Sequence, residues 1–165
     1  MKSLIIENIG KVKKLASAIV KKVKVRISFL GNRVSISGDE VNEFLVEKVL
    51  MAVDFGFDLD DAFLLLKDGY VLNFIDVKEH TRRKNLKEVR ARLIGTNGKA
   101  KKTIEELTGS VLAIKDNKVG LICDADHVDS TIQAVISLSQ GAKHGNVFSY
   151  LEKQNKNRRR VDSED

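Results

Sequence analysis

Arg92-Leu-Ile-Gly-Thr-Asn-Gly-Lys-Ala-Lys-Lys-Thr-Ile-Glu-Glu-Leu-Thr-Gly109 sets a Gly-x-x-Gly turn between an apolar run and a segment that opens with lysines. Just before it, Val89-Arg-Ala-Arg-Leu-Ile94 alternates apolar and polar residues, which predicts a strand ending at Gly95. Lys99 to Leu107 reads as a helix with Ile104 and Leu107 on one face, stopped by Thr108-Gly109. Glycines allow a tight turn and let another chain's backbone approach with no Cβ in the way. A helix start offers unpaired N–H groups and the positive end of a dipole, so phosphate is favoured there. Lys99, Lys101 and Lys102 oppose that dipole, and a polyanion would compensate them. Gly95 and Gly98 stand too close together for a mononucleotide P-loop, and Ala100 follows Lys99 where such a loop needs Ser or Thr. A Rossmann fingerprint needs a third glycine and a parallel βαβ unit, and neither is present.

Outward from this stretch, Ser110 to Ile114 and Lys118 to Cys123 read as a hairpin turned by Asp116-Asn117. A helix from about Asp126 to Ser139 buries Val128, Ile132, Val135, Ile136 and Ser139. Gly141 breaks it, and a last helix runs from about Gly145 to Lys153. Strand, turn, helix, hairpin, helix is an α+β order, with a three-stranded antiparallel sheet and helices on one face.

The same order occurs earlier in the chain. Gly10-Lys-Val-Lys-Lys14 echoes Gly98-Lys-Ala-Lys-Lys102, and Asn32-Arg-Val-Ser-Ile36 echoes Asn117-Lys-Val-Gly-Leu121. Gly56 and Ala62-Phe-Leu-Leu-Leu66 match Gly141 and Val147-Phe-Ser-Tyr-Leu151 at a nearly constant displacement, shifted once by a short indel. Ordered matches of this kind mark a duplicated unit. In the first copy Leu4-Ile5-Ile6 is a strand, Val12 to Val20 a helix, Lys24 to Leu30 and Arg33 to Ser37 a hairpin, and Val41 to Asp54 a long helix. Tyr70 to Val77 is a strand joining the copies, and His80 to Asn85 an exposed linker.

Charge follows the same division. Residues 10–38 carry eight Lys or Arg and no acid, residues 39–76 carry ten acids against Lys48 and Lys67, and residues 78–102 are basic again. With a net charge of +6, this favours an anionic partner, nucleic acid first. No apolar stretch approaches the roughly 20 residues that span a bilayer. The N-terminus lacks a signal-peptide core. The lone Cys123 sits in an apolar run, read as a buried strand, and fits a reducing cytoplasm. Asp54, Asp58, Asp60 and Asp61 fail the EF-hand pattern, since Phe63 stands where a glycine is required; Asp58 and Asp61 read as helix caps. His80, His127 and His144 have neither metal-ligand spacing nor a nucleophile beside them, so no catalytic residue, metal or cofactor is expected.

The run Arg92 to Gly109 resembles the core signature of a type I K-homology (KH) domain. Ser139-Gln-Gly-Ala-Lys-His-Gly145, Val147-Phe-Ser-Tyr-Leu151, Ala62-Phe-Leu-Leu-Leu66 and Asp54-Phe-Gly-Phe57 resemble the archaeal relatives of the Pno/Dim ribosome-assembly proteins. The resemblance implies an α+β fold of two tandem type I KH-like domains, each a three-stranded antiparallel sheet with helices packed on one face. Residues 1–69 would be a degenerate KH-like domain, residues 70–85 a linking strand and linker, residues 86–154 the KH domain with the loop, and residues 155–165 a charged tail, frayed over Asp162-Ser-Glu-Asp165.

By that resemblance, four nucleotides of single-stranded RNA would lie between the loop and the sheet edge. Gly95, Thr96, Asn97 and Gly98 would clamp the backbone and Lys99 and Lys102 hold phosphates. Ile94, Ile104 and Val111 or Leu112 would floor the groove, and Arg90 or Arg92 reach a base edge or phosphate. Ile94, Ile104 and Leu112 read equally well as core. Such loops often carry Lys or Arg between the glycines, whereas here Thr96-Asn97 stand. In the first copy Glu7-Asn8-Ile9-Gly10 replaces the loop and brings an acid to a phosphate position, so no clamp is expected there. The resemblance further implies a role in small-subunit maturation. Its expected partners are the 3′ region of small-subunit ribosomal RNA, the maturation endonuclease or the translation initiation factor two alpha subunit, and no membrane. The alternative is a protein–protein scaffold working through the acidic residues 39–76.

Overall fold

The computed structural model describes residues 1–164, the side chains of residues 162 and 164 excepted. They divide into two compact units, Met1–Leu72 and the residues from Asn73 onward.

In the first unit a strand β1 (Lys2–Ile5) leads into a helix α1 (Ile9–Lys22), a hairpin of β2 (Val25–Leu30) and β3 (Arg33–Gly38), and a helix α2 (Glu40–Phe55). A short helix α3 (Leu59–Ala62) and a 3-10 turn, Phe63–Leu66, follow. The antiparallel sheet has the order β1-β3-β2, with Leu4 opposite Val34 and Ile27 opposite Ile36. Alternation sends Val25, Val34 and Ile36 inward, where Val12 and Ile19 of α1 and Val46, Val49, Leu50 and Val53 of α2 are also buried. Each buried aliphatic side chain of this kind contributes about 2 kcal/mol. Local chemistry sets the helix starts: Asn8 accepts from Lys11 N–H and Asp39 from Asn42 N–H. Asp58 stands at the start of α3 but makes no capping hydrogen bond.

The second unit starts within β4 (Tyr70–Asp76) and continues through α4 (Leu86–Ile94), the turn Thr96–Gly98, α5 (Lys99–Thr108), β5 (Val111–Lys115), β6 (Lys118–Asp124), α6 (Val128–Ser139) and α7 (His144–Glu164). Its sheet runs β4-β6-β5, the same first-third-second order as in the first unit. Two expectations from the sequence are corrected here. The stretch Val89 to Ile94 is helix, and the third strand comes instead from β4, which the sequence suggested only as a connection. The alternation at 89–94 misleads because Val89 and Leu93, the buried pair, are four apart and share a helix face as readily as a strand face. Asn85 decides the matter by accepting from Glu88 N–H and starting the helix.

α6 also differs in detail. Its deepest residues are Thr131, Ala134, Val135 and Leu138, with Val128, Ile132 and Ile136 only partly buried. Burying Thr131 and Ser139 is cheap because each hydroxyl donates to a helix carbonyl, His127 O at 2.7 Å and Val135 O at 2.8 Å. Cys123 lies in the core of this unit, and burial pushes its thiol up to about 11. The expected break near Lys153 is absent: α7 runs on, with Asn155 donating to Leu107 O at 2.6 Å and Arg158 to Ser130 Oγ at 3.1 Å. Residue 165 of the expected tail lies outside the described residues.

Candidate nucleic-acid interface

α4 and α5 meet at the turn Gly95–Gly98. Gly95 has φ 76° and ψ 173°, a region open essentially to glycine alone, and a Cβ there would stand 2.7 Å from Ala100 N. Its role is to let two helices approach. Gly98, at φ 75°, differs, since a Cβ there would meet nothing within 4 Å. Asn97 takes a left-handed conformation, φ 55°, which asparagine tolerates. Thr96 and Asn97 are exposed, as are Lys99 and Lys102, and neither the turn nor the first turn of α5 carries an acid. The result is an exposed tip of positive charge at a helix start.

The remaining residues singled out from the sequence distribute unevenly. Ile94, 38% exposed, borders the tip. Ile104 and Leu112, 1% and 5% exposed, are core residues. The Arg92 guanidinium donates to the carbonyls of Leu138 at 2.8 Å and Ala142 at 2.6 Å, closing the end of α6. Arg90 donates to Asp116 O at 3.1 Å in the β5–β6 turn. The structure thus brings Ile94, the four loop residues, Lys99 and Lys102 together and turns the two arginines toward their own protein.

The sequence reading missed a network on the flank of α5 that faces β5. Glu105 Oε2 accepts from Leu112 N–H at 3.1 Å, and Glu105 Oε1 pairs with Lys101 Nζ at 3.2 Å. In the two-residue hairpin, Leu112 opposite Leu121 is a pair whose backbone groups point away from the partner strand, toward the open sheet edge. Glu105 therefore occupies one rung of the exposed β5 edge. Its i,i+4 spacing from Lys101 was legible; its reach to the strand was not. Also missed was the aromatic pair His144 and Phe148, at the start of α7.

In the first unit, β1 passes directly into α1, with no helix or glycine turn between them. There the N–H groups of Glu7 and Asn8 donate to the Asp54 carboxylate at 3.1 and 2.6 Å. An internal anion sits on these donors.

Comparison with known proteins bears on this arrangement. A family model described as eukaryotic type KH-domain (KH-domain type I) matches residues 71–156. A KH domain-containing protein of Methanocaldococcus jannaschii is 28% identical over 153 residues, 88% of this chain and 67% of that protein. The pre-rRNA-processing protein pno1 of Emericella nidulans is 32% identical over 111 residues, 65% of this chain and 43% of its own, so the chain spans less than half of that relative. Among solved structures, a protein of unknown function from Aeropyrum pernix has a TM-score of 0.90 at 25% identity, with 98% of this chain and 94% of that one covered. A chain of the a/eIF2alpha–aDim2p–rRNA complex from Pyrococcus horikoshii has a TM-score of 0.84 at 26% identity, with 94% of each chain covered. The family match takes in more than half of the chain and includes the glycine turn with its flanking helices, and the chain therefore belongs to the type I KH family as a Pno1/Dim2-like KH protein.

Proposed function

We propose that this chain binds single-stranded RNA through the Gly95–Gly98 turn of its second unit. The RNA on this reading is ribosomal, bound during small-subunit maturation. The observation that carries the proposal is the exposed tip itself: a turn without bulk at Gly98, three lysines in the first turn of α5 and no carboxylate in either segment. Phosphates would sit on the turn, with Lys99 and Lys102 beside them, and Ile94 would lie under a base. Ile104 and Leu112 support this surface from the core, and Arg92 holds the junction from which α7 departs. The fungal relatives are pre-rRNA-processing proteins, and the Pyrococcus horikoshii complex contains ribosomal RNA and an initiation factor alpha subunit. Both support ribosomal RNA and an alpha subunit of this kind as partners here.

The first unit, on the same reading, is a degenerate KH copy. Its equal strand order supports descent from one unit, and the missing glycine turn, the acid Glu7 and the Asp54 carboxylate on the N–H groups of Glu7 and Asn8 together would keep it from clamping a phosphate. A KH protein of this kind acts by binding and carries out no chemistry of its own.

Filter binding of single-stranded RNA tests the loop. Thr96→Asp with Asn97→Asp places two negative charges against the phosphates and should abolish binding, leaving the circular dichroism spectrum unchanged. An affinity equal to that of the parent protein would favour the scaffold reading through residues 39–76.

A further inference from the structure

A groove lies behind the turn. Lys101 and Glu105 mark the flank of α5 that faces β5. Lys99 and Thr103 sit about 200° around the helix from Lys101 and so point the other way. On that side an open groove of about 610 Å³ is lined by Gly95, Thr96, Lys99 and Thr103 and, from α7, by His144 and Phe148. A volume of this size is in the range that holds a nucleotide-sized ligand, roughly 300–1,000 Å³. The turn therefore lies between the exposed edge of β5 on one side and this groove against α7 on the other.

The chemistry of the groove suits a nucleobase. The rings of His144 and Phe148 are 6.0 Å apart and inclined at 55°, a tilted pair that presents an aromatic wall on which a flat ring can stack. The His144 ring is fixed, because Nε2 donates to the Arg92 carbonyl at 2.8 Å and a carbonyl can only accept. The Arg92 guanidinium is already held by Leu138 and Ala142, which leaves the wall preorganised. No carboxylate lines the groove, and Lys99 stands at its mouth next to the turn. A polyanion threaded over the turn meets no repulsion there.

We propose that this groove receives one base of the bound RNA, from a nucleotide adjacent to those lying along β5, stacked on Phe148. The proposal rests on the reading that the Gly95–Gly98 turn clamps the RNA backbone. It adds a site on the α7 side and makes α7 part of the RNA-binding surface.

Abasic scanning tests it with the full chain and a short fluorescein-labelled RNA from the 3′ end of small-subunit ribosomal RNA, read by anisotropy. With the parent protein, removal of the base at one position outside the run along the sheet edge should lower affinity about tenfold, the range of a single base–aromatic stack. Phe148→Leu keeps an apolar side chain under α7 and removes the ring, so that same position should become insensitive while the others keep their sensitivity. A scan with no such outlying position, or one whose outlying position is equally sensitive in Phe148→Leu, overturns the base pocket. If Thr96→Asp with Asn97→Asp abolishes binding in the same assay, that failure concerns the pocket alone; if it leaves affinity unchanged, clamp and pocket both fall.

Discussion

Gly95 and Gly98 share a positive φ, but only at Gly95 does the surrounding protein exclude a side chain. At Gly95 the obstacle is internal, with Ala100 backbone and Cβ 2.7 Å from the place a Cβ would take. Gly95→Ala combines a glycine-only conformation with overlap against rigid backbone and should cost about 3 kcal/mol or more, seen as a lowered urea midpoint. Gly98→Ala adds a methyl to open space and bears only the left-handed penalty, about 1–2 kcal/mol. Its larger effect should be on RNA affinity in filter binding, since that open space is where the sugar-phosphate chain would pass. Equal effects of the two substitutions on stability, with none on binding, would contradict this division. Only the spacing of the glycines was legible in the sequence. That Gly95 serves the fold depends on Ala100, brought under it by the angle between two helices.

At the scale of elements, α4 shows how a strand-like pattern can conceal a helix. Arg90 and Arg92 supply the polar positions of an apparent alternation, and both are turned inward onto carbonyl groups. Arg92 in particular joins α4 to the end of α6 and to the segment before α7 by two charge-assisted hydrogen bonds. Arg92→Ala leaves the Ala142 carbonyl without its donor and the Leu138 carbonyl with only the weaker backbone N–H of Gly141, and should destabilise the second unit by about 2–3 kcal/mol. Arg92→Lys should recover only part of this, because an ammonium group cannot reproduce the planar fork. At a temperature where both variants remain folded, RNA affinity should fall less than fivefold. A large loss of affinity with unchanged thermal stability would return Arg92 to direct RNA contact, as the resemblance alone implied.

For the whole molecule, net charge is a coarser guide than the placement of charge. Several of the lysines that make residues 10–38 so basic are engaged within the first unit: Lys11 Nζ donates to Phe57 O at 3.2 Å, and Lys13 and Lys22 lie 5.7 and 5.3 Å from the ring centres of Phe29 and Phe63. The Asp54 carboxylate occupies the N–H groups of Glu7 and Asn8. Asp54→Ala should therefore cost about 1 kcal/mol of stability and leave the affinity of the chain for single-stranded RNA within twofold, as judged by filter binding at constant salt. A fivefold change in either direction would show that the first unit contacts RNA through these donors. Local pattern by itself determined the α+β class, the two hairpins, the long helices that follow them and the glycine turn with its lysines. These follow from side-chain period and turn chemistry, which act over a few residues. Tertiary structure alone decided that β4 completes the second sheet, that 89–94 is helix, that Ile104 and Leu112 lie in the core, and that His144 and Phe148 line a groove beside the turn. Each of those outcomes depends on partners distant along the chain, brought together only when apolar faces are buried and backbone polar groups find acceptors.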